Sequence, residues 1–146
     1  MQEASLYPLL VDGAIEEGWQ LFRIADGSPG RKPFDVAGAA PDGRAVGVEV
    51  KVVRTEFCPD HPLPWELFAV HQMAWLKLYG KVGAIALAAL YEERTGAMGL
   101  YQIKRKRDFA LPARRLFKGQ LLRVDAEYRG WGKVFAALTP RPSRGG

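Results

Sequence analysis

Asp35, Glu49 and Lys51 are the residues of this chain whose types and spacing could do chemistry. Ala45 to Val53 alternates strictly, and a strand's period of two sends Val46, Val48, Val50 and Val52 to one face. Gly47, Glu49 and Lys51 then share the other. The same rule on a strand from Phe34 to Gly38 puts Phe34 and Val36 on the apolar face and Asp35 on the polar one. Pro41-Asp42-Gly43 is a turn signal between the two runs, so a hairpin is expected that sets Asp35 beside Glu49 and Lys51. Two carboxylates so close repel, and a hard divalent cation relieves the repulsion. Mg²⁺ prefers oxygen ligands and keeps waters that a phosphate can displace. Such an ion polarises a phosphodiester and acidifies a bound water. Lys51 can position or deprotonate that water, or offset charge in the transition state. The set therefore fits metal-assisted phosphodiester hydrolysis. The alternative is a solvated salt-bridge patch worth under ~1 kcal/mol.

The elements that must hold these residues can be read from pattern. Leu6, Leu9, Leu10, Gly13 and Ala14 recur at helical spacing, with Ser5 as a candidate N-cap and Pro8 in the first turn. Trp19 to Ile24 reads as a short strand and Asp26 to Gly30 as a loop. Arg54 to Pro64 carries three prolines and cannot be helical. Trp65 to Tyr79 reads as one helix that is apolar on most faces: Leu67, Val70, Ala74 and Leu78 on one, Phe68, Trp75 and Tyr79 on another, with the polar Gln72 beside Phe68 and Trp75. Such a helix is expected to lie covered across a sheet. Ala84 to Tyr91 is an uncharged apolar run of the kind found mid-sheet, and Met98 to Ile103 is a further strand. Beyond Lys104 only basic loops and short elements are expected. The order implies an α/β or α+β domain, a mixed sheet flanked by helices.

The 146 residues suit one domain, with residues 1–139 as its body and 140–146 as a tail. Residues 1–100 hold nine Lys and Arg against thirteen Asp and Glu, whereas residues 101–146 hold twelve against three. A block this basic on a mildly acidic body suggests a polyanionic partner. Lys104, Arg105, Lys106, Arg107, Arg114, Arg115 and Lys118 are the candidate phosphate contacts, which position DNA without reading its sequence. Tyr101, Phe109, Phe117, Tyr128 and Trp131 are interleaved with them and are better explained as core or dimer contacts. Cys58 is the only cysteine, so no internal disulfide or cysteine-built zinc site can form. The longest apolar run is about half of a membrane span, and no signal peptide is visible. A cytoplasmic protein without membrane partners is expected.

Pro33-Phe34-Asp35 followed by Glu49-Val50-Lys51 resembles the PD-(D/E)xK nuclease superfamily. The stretch from Gly18-Trp19 through Phe34 to Gly38 and on to Val48 to Lys51 is similar to archaeal and phage Holliday junction resolvases of the Hjc type. Pro62-Leu63-Pro64, His71-Gln72 and Gly83 to Leu87 are more like the bacterial RecU type, although the long stalk-forming insertion of that group is missing. The resemblance spans roughly residues 3–103. It implies a restriction-endonuclease-like core in which Asp35 and Glu49 bind the metal, the Val50 carbonyl completes the site and Lys51 is catalytic. It further implies an acid from the first helix, for which Glu3 is the candidate, and a glutamine near the metal or attacking water, for which Gln72 is. The expected activity is cleavage of four-way DNA junctions by paired nicks, dependent on Mg²⁺ with Mn²⁺ substituting. A two-fold junction calls for a homodimer. Alternatives are another nuclease of the same superfamily, of repair or restriction type, and a non-catalytic DNA-binding module.

Overall fold

The structure, a computed structural model, describes residues 3–24, 33–55, 57–124 and 127–138, with the side chains of 3, 4 and 122–129 outside the description. The Asp26–Gly30 loop and the 140–146 tail expected from the sequence lie outside the described residues.

Among the described residues, seven strands form one sheet in the order of the chain. They are β1 (Gln20–Arg23), β2 (Val36–Ala39), β3 (Ala45–Val53), β4 (Ile85–Glu92), β5 (Ala97–Ile103), β6 (Phe117–Val124) and β7 (Glu127–Arg129). Every neighbouring pair is antiparallel except β3 and β4. A parallel pair cannot be closed by a tight turn, and helix α2 (Val70–Lys81) makes the crossover. The sheet is thus mixed and flanked by helices, as the element order implies. No helix among the described residues is long and apolar enough to cross a membrane.

Each face of the sheet has its own core. Val46, Val48 and Val50 meet Leu10 and Ala14 of α1 (Tyr7–Glu16) and Trp131, Val134 and Leu138 of α4 (Trp131–Leu138). Trp19 and Trp131 meet there at 4.8 Å between ring centres, tilted by 49°. On the opposite face Ala86, Ala88, Leu90, Tyr101 and Ile103 pack under Leu76 of α2 and under Ala113 and Leu116 of the short α3 (Ala113–Leu116). Alternation in β3 and β4 distributes side chains between the two cores, which is why both strands are buried almost throughout.

Four expectations need correction. Ser5 lies inside a 3₁₀ turn (Glu3–Leu6), and Leu6 takes the N-cap position of α1 without a side-chain bond, while Pro8 sits in the first turn as read. The 65–79 helix is two pieces, a 3₁₀ turn at Trp65–Leu67 and α2, separated by extended backbone at Phe68 and Ala69. The Leu67, Val70 and Leu78 stripe is exposed rather than covered, Val70 at 85%. Finally, the chain beyond Lys104 holds more regular structure than basic loops. The eight-residue strand β6 extends the sheet from β5, followed by β7 and α4.

Candidate active site

The hairpin places Val36 opposite Val48, and the N–H of Asp35 donates to the Val48 carbonyl at 3.1 Å. Asp35 and Val36 thus both face Val48, and the regular register ends at Val36. Asp35 is not in a regular strand. It forms a bend just before β2, and the chain turns over there: Val36 packs into the α1 and α4 core, while Phe34 packs into the α2 core. The expectation that Phe34 and Val36 share a face is therefore wrong, because the bend breaks the alternation at the residue between them.

That bend gives Asp35 its place. The backbone edge of Val48 faces β2, and so does that of Val50 two residues on. With β2 already ended, the N–H of Val50 donates to Oδ2 of Asp35 at 2.9 Å. The carboxylate stands where the next ladder carbonyl would be. By the same strand geometry the Val50 carbonyl is turned to this side.

Glu49, Gly47 and Lys51 share the α2 face of β3, as alternation requires. Their parallel neighbours on β4 are Ala88, Ala86 and Leu90 respectively, so the residues beside Gly47 and Glu49 are small. This face is not the solvated surface that the pattern alone suggests. Glu49 is 1% exposed and Asp35 5%. Phe34 closes one side: its ring lies 4.6 Å from Tyr79 and 6.2 Å from Trp75, centre to centre, and directly over Gly47. Lys51 is half-buried, and its Nζ lies 5.5 Å from the centre of the Phe68 ring. Phe68 was legible in the sequence only as an apolar helix residue. Its service to Lys51 depends on the extended backbone that separates the two helical pieces.

Burial of two carboxylates is costly unless each is hydrogen-bonded or neutralised. Asp35 has the Val50 N–H, and Lys51 is the only cation of the trio. Two buried carboxyl groups with Lys51 beside Glu49 on β3 make an oxygen-rich, hard donor set, and donors of this kind suit a divalent cation. The residues fit Mg²⁺ on that chemistry. No group of three or more His, Cys, Asp or Glu side chains comes together among the described residues. Glu3 stands in the opening 3₁₀ turn with its side chain outside the description. Gln72 has a local role: its Oε1 accepts the Ala69 N–H at 2.8 Å and caps the start of α2.

The basic residues fall into two groups. Lys104 to Arg107 are exposed on a turn after β5. Ile103 pairs with Ala86, which is beside Gly47, so this turn lies beyond the Gly47 end of the site. Asp108, missed by the sequence reading, is buried beneath the turn and accepts the N–H groups of Lys104 at 2.8 Å and Arg105 at 3.1 Å. A lone acid straight after four cations was the available signal. Lys118 of β6 belongs with them. Burial holds its ammonium below the usual lysine range, and the charge of Lys104 pushes the same way against the pull of Asp108. Arg114 and Arg115 are on α3 instead, where Arg114 pairs with Asp60 at 2.9 Å on the surface. Of the interleaved aromatics, Tyr101 and Trp131 are buried in the core, Phe109 is half-buried and Phe117 is exposed; the side chain of Tyr128 lies outside the description.

No protein-family model and no curated protein matches the chain. Among solved structures, it is similar to Hjc of Archaeoglobus fulgidus, a Holliday junction resolvase from an archaeal hyperthermophile. The two are 16% identical with a TM-score of 0.47, over 77% of this chain and 97% of that one.

Proposed function

We propose that this protein is a Mg²⁺-dependent endonuclease that nicks branched DNA, with the four-way junction as its substrate and a homodimer as its working form. The observation that carries the reading is the burial of both Asp35 and Glu49, with the Asp35 carboxylate bonded to the N–H of Val50 next to Glu49, and Lys51 on the same face of β3 as Glu49. The order of the motif residues, an acid before one strand and Glu-x-Lys within the next, supports the superfamily. The resolvase resemblance of the surrounding segments supports the junction.

Asp35 and Glu49 would hold the ion, with the Val50 carbonyl turned to the same side as Asp35. When bound, a divalent cation supplies charge neutralisation for the scissile phosphate and a water acidified toward neutrality. The chain's own residues do the rest. The Val50 N–H fixes Asp35 in one orientation, so little reorganisation is needed on binding. Lys51, at the rim of the buried face, directs its ammonium toward the negative charge that grows on the phosphate, or positions the attacking water. The basic turn and α3 supply sequence-independent backbone contacts.

Asp35→Asn keeps the shape of the side chain and removes its charge. Cleavage of a synthetic four-way junction in Mg²⁺ is expected to fall about a thousandfold, since ion stabilisation is worth several kcal/mol. The Kd for the junction measured without divalent ions should be unchanged. Cleavage at the parent rate by this variant removes the metal-site reading. Paired nicks on a linear duplex as readily as on the junction would remove the junction.

A further inference from the structure

A concavity of about 470 Å³ lies between the end of α2 and the turn after β5, lined by Lys77, Gly80, Lys81, Lys104, Arg105 and Lys106. Five of its six lining residues are cations and none is acidic. We propose that this concavity is a second DNA contact, a backbone-phosphate clamp set apart from the carboxylates, in which Lys77 and Lys81 act together with the basic turn. The identity of the polyanion rests on the function proposed above.

Three features build the clamp. Lys77 and Lys81 are one helical turn apart and share a face of α2. Gly80 lets that helix lie against the exit of β5: a Cβ there would stand 2.5 Å from the Ile103 carbonyl oxygen and 2.8 Å from Cα of Lys104. Asp108 then fixes the turn from beneath, through the N–H groups of Lys104 and Arg105, with its charge buried. The four cations after β5 thus face outward on a braced backbone. Lys81 also meets the negative end of the α2 dipole, which accounts for one lysine and not for five cations around one hollow. Like charges held this close favour an anion of more than one charge, and Lys118 beside Lys104 adds to the same field.

Successive phosphates of a nucleic-acid strand fit better than a lipid surface. The cations converge from two elements into a hollow, whereas a membrane-binding face spreads them over a plane. Leu78 and Val82 are exposed close by, so an anionic bilayer is the rival to be tested.

The test is binding of a fluorescent four-way junction by anisotropy, without divalent ions, from ~50 to ~200 mM salt. The variants are the double change Lys77→Ala with Lys81→Ala, the single reversal Lys81→Glu, and Lys133→Ala on α4 as a control from the opposite layer. The double variant should bind about tenfold more weakly and lose one to two from the slope of log K against log salt, about one per phosphate contact removed. Lys81→Glu should weaken binding at least as much as a single neutral change. Lys133→Ala should move neither quantity, and thermal melting should match the parent in all three. An unchanged slope in the double variant overturns the clamp. So does binding to phosphatidylserine vesicles that is tighter than to DNA and lost in the same variant. Cleavage is not read, so a lost slope in a protein that proves not to be a nuclease would still support the clamp.

Discussion

The Lys51 ammonium is steadied by the face of an aromatic ring, 5.5 Å from the centre of Phe68. A contact of this type is worth about 0.5–2 kcal/mol depending on how much water is excluded, enough to bias a flexible four-carbon stem toward one position. Phe68→Leu keeps the apolar bulk and removes the ring. Single-turnover cleavage is expected to slow about three- to tenfold with KM for DNA unchanged, whereas Phe68→Tyr should keep the parent rate. The shared face of Glu49 and Lys51 was legible in the sequence because valines at every second position leave only one face for them. The place of Phe68 was not, since a continuous helix from Trp65 would have put its ring on the helix surface. Nor was the depth of Glu49: alternation tells which residues share a face, and says nothing of what lies over it.

At the level of elements, the bounds of β3 agree with the alternating run, and β4 lies one residue later than the uncharged apolar run, ending on Glu92, because burial on known faces dictates both patterns. The bend at Asp35 escaped the same logic. Phe34 and Val36 are both apolar and each finds a core, so the sequence looks alternating where the chain has turned over. Strand β6 was hidden by Lys118, Gly119 and Gln120, a polar stretch that pairs with β5 through its backbone. The exposed stripe of α2 misled in the other direction, because apolar spacing records composition and not cover. The junction of Phe34 and Gly47 can be probed directly. A Cβ at Gly47 would lie 2.3 Å from the Phe34 ring, so Gly47→Ala must displace the ring and, with it, the neighbouring Asp35. Denaturant unfolding should show a loss of about 1–3 kcal/mol, and junction cleavage should fall further than that loss of folded protein explains.

Across the whole molecule, the mixed sheet and its flanking helices followed from the order of patterns, while the two-cored section through it did not. One consequence of the second core is alkaline instability. Burial pushes the Tyr101 phenol up to about 12, with the negative charge of Glu92 adding to it. The unfolded chain releases this proton near 10. Between these values the native state holds more protons than the unfolded state, so stability is complete below pH 10 and declines as pH rises toward 12. Melting temperatures measured across that interval should fall, and Tyr101→Phe should flatten the decline. The strand order carries a different implication. Since strands follow one another in space as in sequence, the sheet is two meanders sewn together at a single seam, and the three polar residues all belong to the first. Their roof, Phe68 and α2, and their lateral neighbour β4 come from chain that leaves the ribosome afterwards. The newborn carboxylates therefore stay hydrated until the seam closes, and only the finished fold covers them.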